Sequence, residues 1–245
     1  MRGFIASRLT CFATLTGLAL LMTGCAASGF SSNPLERSFT WFSYLGGDDI
    51  RASCSASPVE RYRFVYNAEG EKQIRTYDIA LEAGGGQSGI MESHVLTDVN
   101  LARLSVSDPL QPWRGEGERT ILSGRDIATL REALVTSGFD RPAPRGAYLR
   151  SDDFYWTVSA CRNGQFHFNA YSLEMPQFEA IRFDETLYRL DPLTRVVPVN
   201  PPRRLTLAPF PTAMADASIR SGGYASGPFM VQVARDGIGL QKGFF

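Results

Sequence analysis

The sequence predicts an α+β fold: an antiparallel β-sheet built from hairpins, with two helices packed on it and a Pro-rich C-terminal extension. Three observations carry that expectation. Residues 61–67 alternate Tyr62, Phe64 and Tyr66 with Arg61 and Arg63, the period-two signature of a strand. Asn163-Gly164 can take the positive φ angles of a two-residue hairpin turn, inside a stretch rich in apolar and aromatic residues. Two separated segments with helical spacing accompany the hairpins, which is the pattern of an α+β domain.

The folded region is expected to begin near Phe39. A hairpin joins residues 61–67 to a second strand at 73–81 across Glu69, Gly70, Glu71 and Lys72. Residues 90–97 form a further β-type stretch, and residues 105–120, with Asp108-Pro109, Pro112 and two glycines, read as loop. Ser123 is a good helix N-cap, and Asp126 places negative charge among the first-turn amides. Ile127, Leu130 and Leu134 form one apolar stripe, and Gly138 offers a left-handed stop with Phe139 to pack back. In the hairpin at 154–173 the Asn163-Gly164 turn sets Cys161 opposite Phe166, Ala160 opposite His167 and Trp156 opposite Tyr171. Apolar groups on both faces make this a central part of the sheet.

Pro176 opens a second helical stretch reaching Leu190, with Ala180, Phe183, Leu187 and Leu190 on one side and Asp191-Pro192 as its stop. Five prolines at 198, 201, 202, 209 and 211 mark an extended linker or a strap along the surface. The last segment holds a short hairpin around Asp236-Gly237.

The amino terminus sets the expected address. Arg2 and Arg8 supply a positive region, and residues 9–22 carry no charge. About fourteen residues make roughly 21 Å of helix at ~1.5 Å per residue, short of the about twenty that a stable membrane span needs. This is a signal-peptide core. The run Leu21, Met22, Thr23, Gly24, Cys25 resembles the lipobox of bacterial lipoproteins. The resemblance covers the first 25 residues and implies that Cys25 receives a diacylglyceryl group and becomes the first mature residue. Ala26, where aspartate would hold the protein back, implies delivery to the outer membrane, facing the periplasm. The expected organisation is a signal peptide at 1–24, a lipidated flexible tether at 25–38, an α+β domain at 39–197 and the C-terminal extension at 198–245.

Without residues 1–24 the chain keeps 23 basic and 25 acidic residues. Near-neutrality without a basic run gives no electrostatic footprint for nucleic acid. Cys11 leaves with the signal and Cys25 takes the lipid, so Cys54 and Cys161 remain. Outside the cytoplasm such a pair forms a disulfide, worth ~4–5 kcal/mol for a loop of about a hundred residues in the chain-entropy model. The pair lacks the Cys-x-x-Cys spacing of a redox centre.

The motifs that could carry chemistry are incomplete. Gly84, Gly86 and Gly89 match G-x-G-x-x-G, but the following residues read as strand where a dinucleotide site needs a helix. Ser88 has Gly86 two residues before it and Ile90 two after, which breaks the nucleophile elbow. His94 and His167, the only histidines, are too far apart in sequence for a local zinc pair. Asp48-Asp49 and Asp152-Asp153 read as solvated acids at loop entrances rather than calcium ligands. No catalytic, cofactor or metal residue is assigned.

One softer feature is an aromatic β region: Trp41, Phe42 and Tyr44 with Tyr62, Phe64, Tyr66, Tyr155, Trp156 and Tyr171, interleaved with Arg61, Arg63 and Arg162. It reads either as sheet core or as a binding surface built on Trp41, Tyr62, Arg63, Trp156 and Tyr171. The expected role is a non-catalytic envelope lipoprotein that binds another envelope protein. Binding of a glycan or small ligand at the aromatic surface is one alternative, and a hydrolase recruiting His94 or His167 is another.

Overall fold

The structure is a computed structural model and describes residues 41–56, 59–70, 72–82, 88–97, 116–207 and 230–242. The predicted signal peptide, Cys25 and the tether lie outside the described residues. Among the described residues, no helix is long and apolar enough to cross a membrane.

Six strands form one antiparallel sheet: β1 (Arg61–Ala68), β2 (Gln73–Leu81), β3 (Ser88–Thr97), β4 (Glu116–Ser123), β6 (Phe154–Arg162) and β7 (Gln165–Ser172). Their order across the sheet is β4-β3-β2-β1-β6-β7. A second sheet of three strands joins β5 (Tyr148–Arg150), β8 (Met230–Val233) and β9 (Ile238–Lys242) in that order. The four described helices are α1 (residues 41–46), α2 (Asp48–Cys54), α3 (Gly124–Thr136) and α4 (Phe183–Leu190). The predicted α+β class is therefore the observed one, with an antiparallel sheet built largely from hairpins.

The β6–β7 register is as the Asn163-Gly164 turn requires, with Cys161 opposite Phe166, Ala160 opposite His167 and Trp156 opposite Tyr171. Both turn residues adopt positive φ, 52° at Asn163 and 73° at Gly164. Helix α3 starts in a capping box. The Ser123 hydroxyl accepts from the Asp126 amide, and the Asp126 carboxylate accepts from the Ser123 amide. It ends at Gly138, whose φ is 70°, with the Phe139 amide donating to Leu134 O at 3.0 Å.

Three expectations need correction. Residues 41–54 are helical, not part of a β region followed by an Asp48-Asp49 loop. Phe42 and Leu45, three apart, turn to the core together, and Gly47 takes a left-handed φ of 70° between the two helices. Residues 116–120, expected as the end of a loop, belong to strand β4, while residues 105–115 lie outside the described residues. The helix expected from Pro176 to Leu190 is two pieces. A 3₁₀ turn, Pro176–Ala180, ends where Ile181 extends to ψ 135°, and α4 starts at Phe183. The Arg182 amide in the gap donates to the Ser137 hydroxyl, which ties the break to the end of α3.

Each face of the large sheet has its own core. On the first face Tyr62, Phe64, Tyr66, Tyr77, Ile79, Met91, Trp156 and Tyr171 pack under α3 and α4 through Leu130, Leu134, Phe183 and Leu187. On the second, Val65, Tyr155, Phe168 and Ala170 meet Phe42 and Leu45 of α1 and Leu149, Val231 and Val233 of the small sheet. The Cys54–Cys161 disulfide joins the end of α2 to the end of β6, with a Cα–Cα distance of 5.4 Å. Residues 198–207 run along the sheet end: Gln73 donates to Pro198 O, Tyr66 to Asn200 O, and the Asn200 amide to Gln73 Oε1. The C-terminal hairpin is likewise part of the packed structure, because β8 pairs with β5.

Candidate functional site

The aromatic binding surface expected from Trp41, Tyr62, Arg63, Trp156 and Tyr171 is not a surface. Tyr62, Trp156 and Tyr171 are each 1% exposed and lie beneath α3 and α4. Trp156 stacks on Tyr66 at 4.7 Å between centroids and meets Phe183 edge-on at 5.3 Å. Burial raises the hydroxyl pKa of Tyr62, Tyr66 and Tyr171 well above its ordinary value. These rings are apolar core, held there by about 25 cal/mol for each Å² removed from water. Trp41 is half-buried on α1 and stacks on Tyr44.

Arg63 sits on the opposite face, at 5% exposure, rather than on a wet surface. Its Nε donates to Asp78 at 2.7 Å, its Nη1 to Asp49 at 2.6 Å and to Tyr44 O at 3.3 Å, and its Nη2 to Asp49 at 3.1 Å. The guanidinium carbon lies 3.7 Å from the Tyr44 ring centroid. Burial pushes the Asp49 carboxyl up, but the Arg63 hydrogen bonds and charge outweigh it and hold it below the ordinary 3.8. Almost every Arg63 donor is used, so this cluster clamps α1 and α2 to β1 and β2. Asp48 and Asp49 are therefore first-turn helix acids, with Asp48 also paired to Arg51.

A second buried network has no signal in the sequence. Arg75 and Asp191, 116 positions apart and with fully buried side chains, form an ion pair at 3.0 Å. Asp191 also accepts from Ser93 at 2.9 Å, from Tyr77 at 3.2 Å and from the Leu193 amide at 2.9 Å. It caps the 3₁₀ turn Pro192–Arg195 while neutralising Arg75 on the first face of the sheet. The sequence shows Asp191-Pro192 only as a helix stop.

The candidate chemical motifs separate in space. Ser88 and His94 share one face of β3 but are six residues apart, about 20 Å at ~3.3 Å per residue, and the Ser88 hydroxyl bonds Glu82. His94 packs over Gly117, where an added Cβ would stand 2.6 Å from its Nδ1. His167 Nε2 lies 2.6 Å from Phe139 O, and its ring meets Phe139 edge-on. Gly89 lies inside β3, so strand and not helix follows it, while Gly84 and Gly86 lie outside the described residues. Asp152 pairs with Arg150. Among the described residues, no group of three His, Cys, Asp or Glu side chains is placed to hold a metal.

The part of the sheet with the most exposed apolar surface is the β3–β4 corner. Register places Ala80, Ile90 and Ile121 in one row of the second face, and Asp78, Glu92 and Arg119 in the next. Ile121 is 81% exposed and Ile90 38%. Among the described residues, strand β4 pairs only with β3 and stands at the sheet's edge, where a row of backbone N–H and C=O groups has no strand partner. Glu116, Glu118 and Arg119 line it, with Arg119 paired to Glu92. This corner, not the aromatic cluster, is the candidate site for a macromolecule. Strand propensity could not have found it, because residues 116–119 are charged or glycine.

No protein-family model matches the chain, and no curated protein matches it. The fold and the site together define a disulfide-bridged α+β domain in which β4 is an edge strand among the described residues.

Proposed function

We propose that the chain is a bacterial envelope lipoprotein, anchored through Cys25 in the outer membrane, whose α+β domain holds an envelope protein partner by strand addition at β4. The observation that carries this reading is the eight-residue β4 edge with Ile121 exposed beside it. Strand addition supplies main-chain hydrogen bonds along such an edge, and side chains on alternate positions set specificity. Charged edge residues ordinarily discourage indiscriminate pairing. Here Glu116 and Glu118 on one face and Ile121 on the other select a strand with basic residues on the first side and an apolar residue on the second. The leader and lipobox support the address, and the disulfide fits an oxidising compartment.

The test is a photo-crosslinking residue placed at 121 in cells, with one at Val135, exposed on α3, as the comparison. One discrete adduct from position 121, missing from 135 and lost in Glu118→Arg, is the expected result. The same adducts from both positions, or none from 121, would contradict docking at β4.

A further inference from the structure

A cleft away from the β4 edge carries two arginines with no anionic partner. It is a shallow, solvent-open cleft of about 410 Å³ lined by Arg145, Gly146, Gln232, Val233, Ala234 and Arg235, within the ~300–1,000 Å³ range of small-molecule sites. Among the described residues, neither the Arg145 nor the Arg235 side chain has an ion-pair or hydrogen-bonding partner. That contrasts with Arg51, Arg63, Arg75, Arg131 and Arg150, each of which is paired with a carboxylate.

The backbone under the two arginines is fixed. Pro142 and Pro144 set φ in the turn that leads to Arg145. The Arg145 amide donates to Ala143 O at 2.8 Å and the Ala147 amide to Pro144 O at 3.1 Å. Gly146, at φ 82°, donates to Val233 O at 2.9 Å and accepts from the Gln232 side chain at 3.1 Å. Across the cleft the Ala234 amide donates to Gly237 O at 2.9 Å, closing the β8–β9 turn that presents Arg235. Of the lining residues, Val233 belongs to the second core, where it packs with Leu149 and Val231. Two exposed arginines thus line the cleft from turns whose backbones are tied by hydrogen bonds. Preorganisation of this kind lowers the entropy lost when a ligand binds.

We infer that this cleft binds a phosphate group, held between the Arg145 and Arg235 guanidinium forks. Guanidinium presents paired N–H donors that match phosphate oxygens in a bidentate way. The cleft also lies on the side where the described chain begins: Arg51 of α2 donates to Asp236 O in the same turn, and Gly46 abuts Ile238. An anionic phospholipid headgroup and free phosphate share the required chemistry. The headgroup arm rests on the proposed lipid anchoring, which would hold this side near a bilayer.

The experiment uses the full chain in non-ionic detergent and follows ³¹P line broadening of two probes, inorganic phosphate and soluble dihexanoyl phosphatidylglycerol. Dihexanoyl phosphatidylcholine, whose phosphate charge is balanced, is the control. Broadening by either anionic probe that weakens at least tenfold in affinity in Arg145→Gln/Arg235→Gln, and persists in Arg125→Gln/Arg195→Gln, supports the site. Response to inorganic phosphate alone assigns a free-phosphate ligand; response to phosphatidylglycerol as well assigns the headgroup. No response, or one that both double variants weaken equally, overturns the inference. Intact mass of the same preparation reports the state of Cys25, so failure of the anchoring reading is read separately.

Discussion

The polar residues that matter most to stability are buried pairs rather than surface charges. Removing Asp191 leaves the fully buried Arg75 without its carboxylate, and breaking such a pair costs about 3–5 kcal/mol. Asp191→Ala is therefore expected to lower the urea midpoint sharply. Arg75→Met combined with Asp191→Leu should recover much of the loss, because no charge is then left unpaired. If the single and double variants unfold alike, the unpaired Arg75 charge is not what the single variant loses stability to. At Gly47, a Cβ would stand 2.2 Å from the Ser159 hydroxyl at a φ of 70°. Gly47→Ala should cost more than the ~1 kcal/mol scale of an unstrained glycine change, checked by the same unfolding curves. Arg75 with Asp191 illustrates what the sequence withholds: a contact between residues 116 positions apart has no periodicity, and each partner alone reads as an ordinary charged residue.

At the scale of elements, local rules read well where one residue type decides the geometry. The Asn163-Gly164 turn fixed the β6–β7 register, and Ser123 with Asp126 marked the start of α3. Helices α1 and α2 were not legible, because Trp41, Phe42 and Tyr44 are as common in strands as in cores and Gly46-Gly47 interrupts the helical period. Strand β4 was hidden by Glu116, Glu118 and Arg119, which its edge position tolerates. Tyr62, Phe64, Tyr66, Trp156 and Tyr171 were read correctly as sheet residues, but their burial follows from α3 and α4, which only the fold places over them. The capping box gives a measurable consequence. Ser123 hydrogen bonding holds the Asp126 carboxyl below its ordinary 3.8, so the unfolded state binds the proton more readily. The stabilisation is present above 3.8 and is lost as pH falls through the lower folded-state value. Ser123→Ala should cost about 0.5–2 kcal/mol near neutrality and less in acid; a loss independent of pH would contradict the role given to Asp126.

For the whole molecule, the disulfide and the C-terminal hairpin connect distant parts of the chain. The bridge spans 107 positions, so reduction should lower unfolding stability by about 4–5 kcal/mol in the chain-entropy model. Chemical unfolding with and without reductant measures this directly; equal curves would show that the packed ends of α2 and β6 stay together without the bond. Both sheet faces are occupied by this architecture, one by α3 and α4 and the other by α1 and the small sheet. Among the described residues, an exposed corner at β3–β4 and an arginine cleft at β5–β8 are the surfaces proposed for partners. Each of these roles depends on where the chain resides. The most direct test is intact mass spectrometry of protein extracted from membranes, with and without reduction and alkylation. The expected species is a chain beginning at a lipid-modified Cys25, with Cys54 and Cys161 alkylated only after reduction. A chain that keeps residues 1–24, or one that carries an unmodified Cys25, would contradict it.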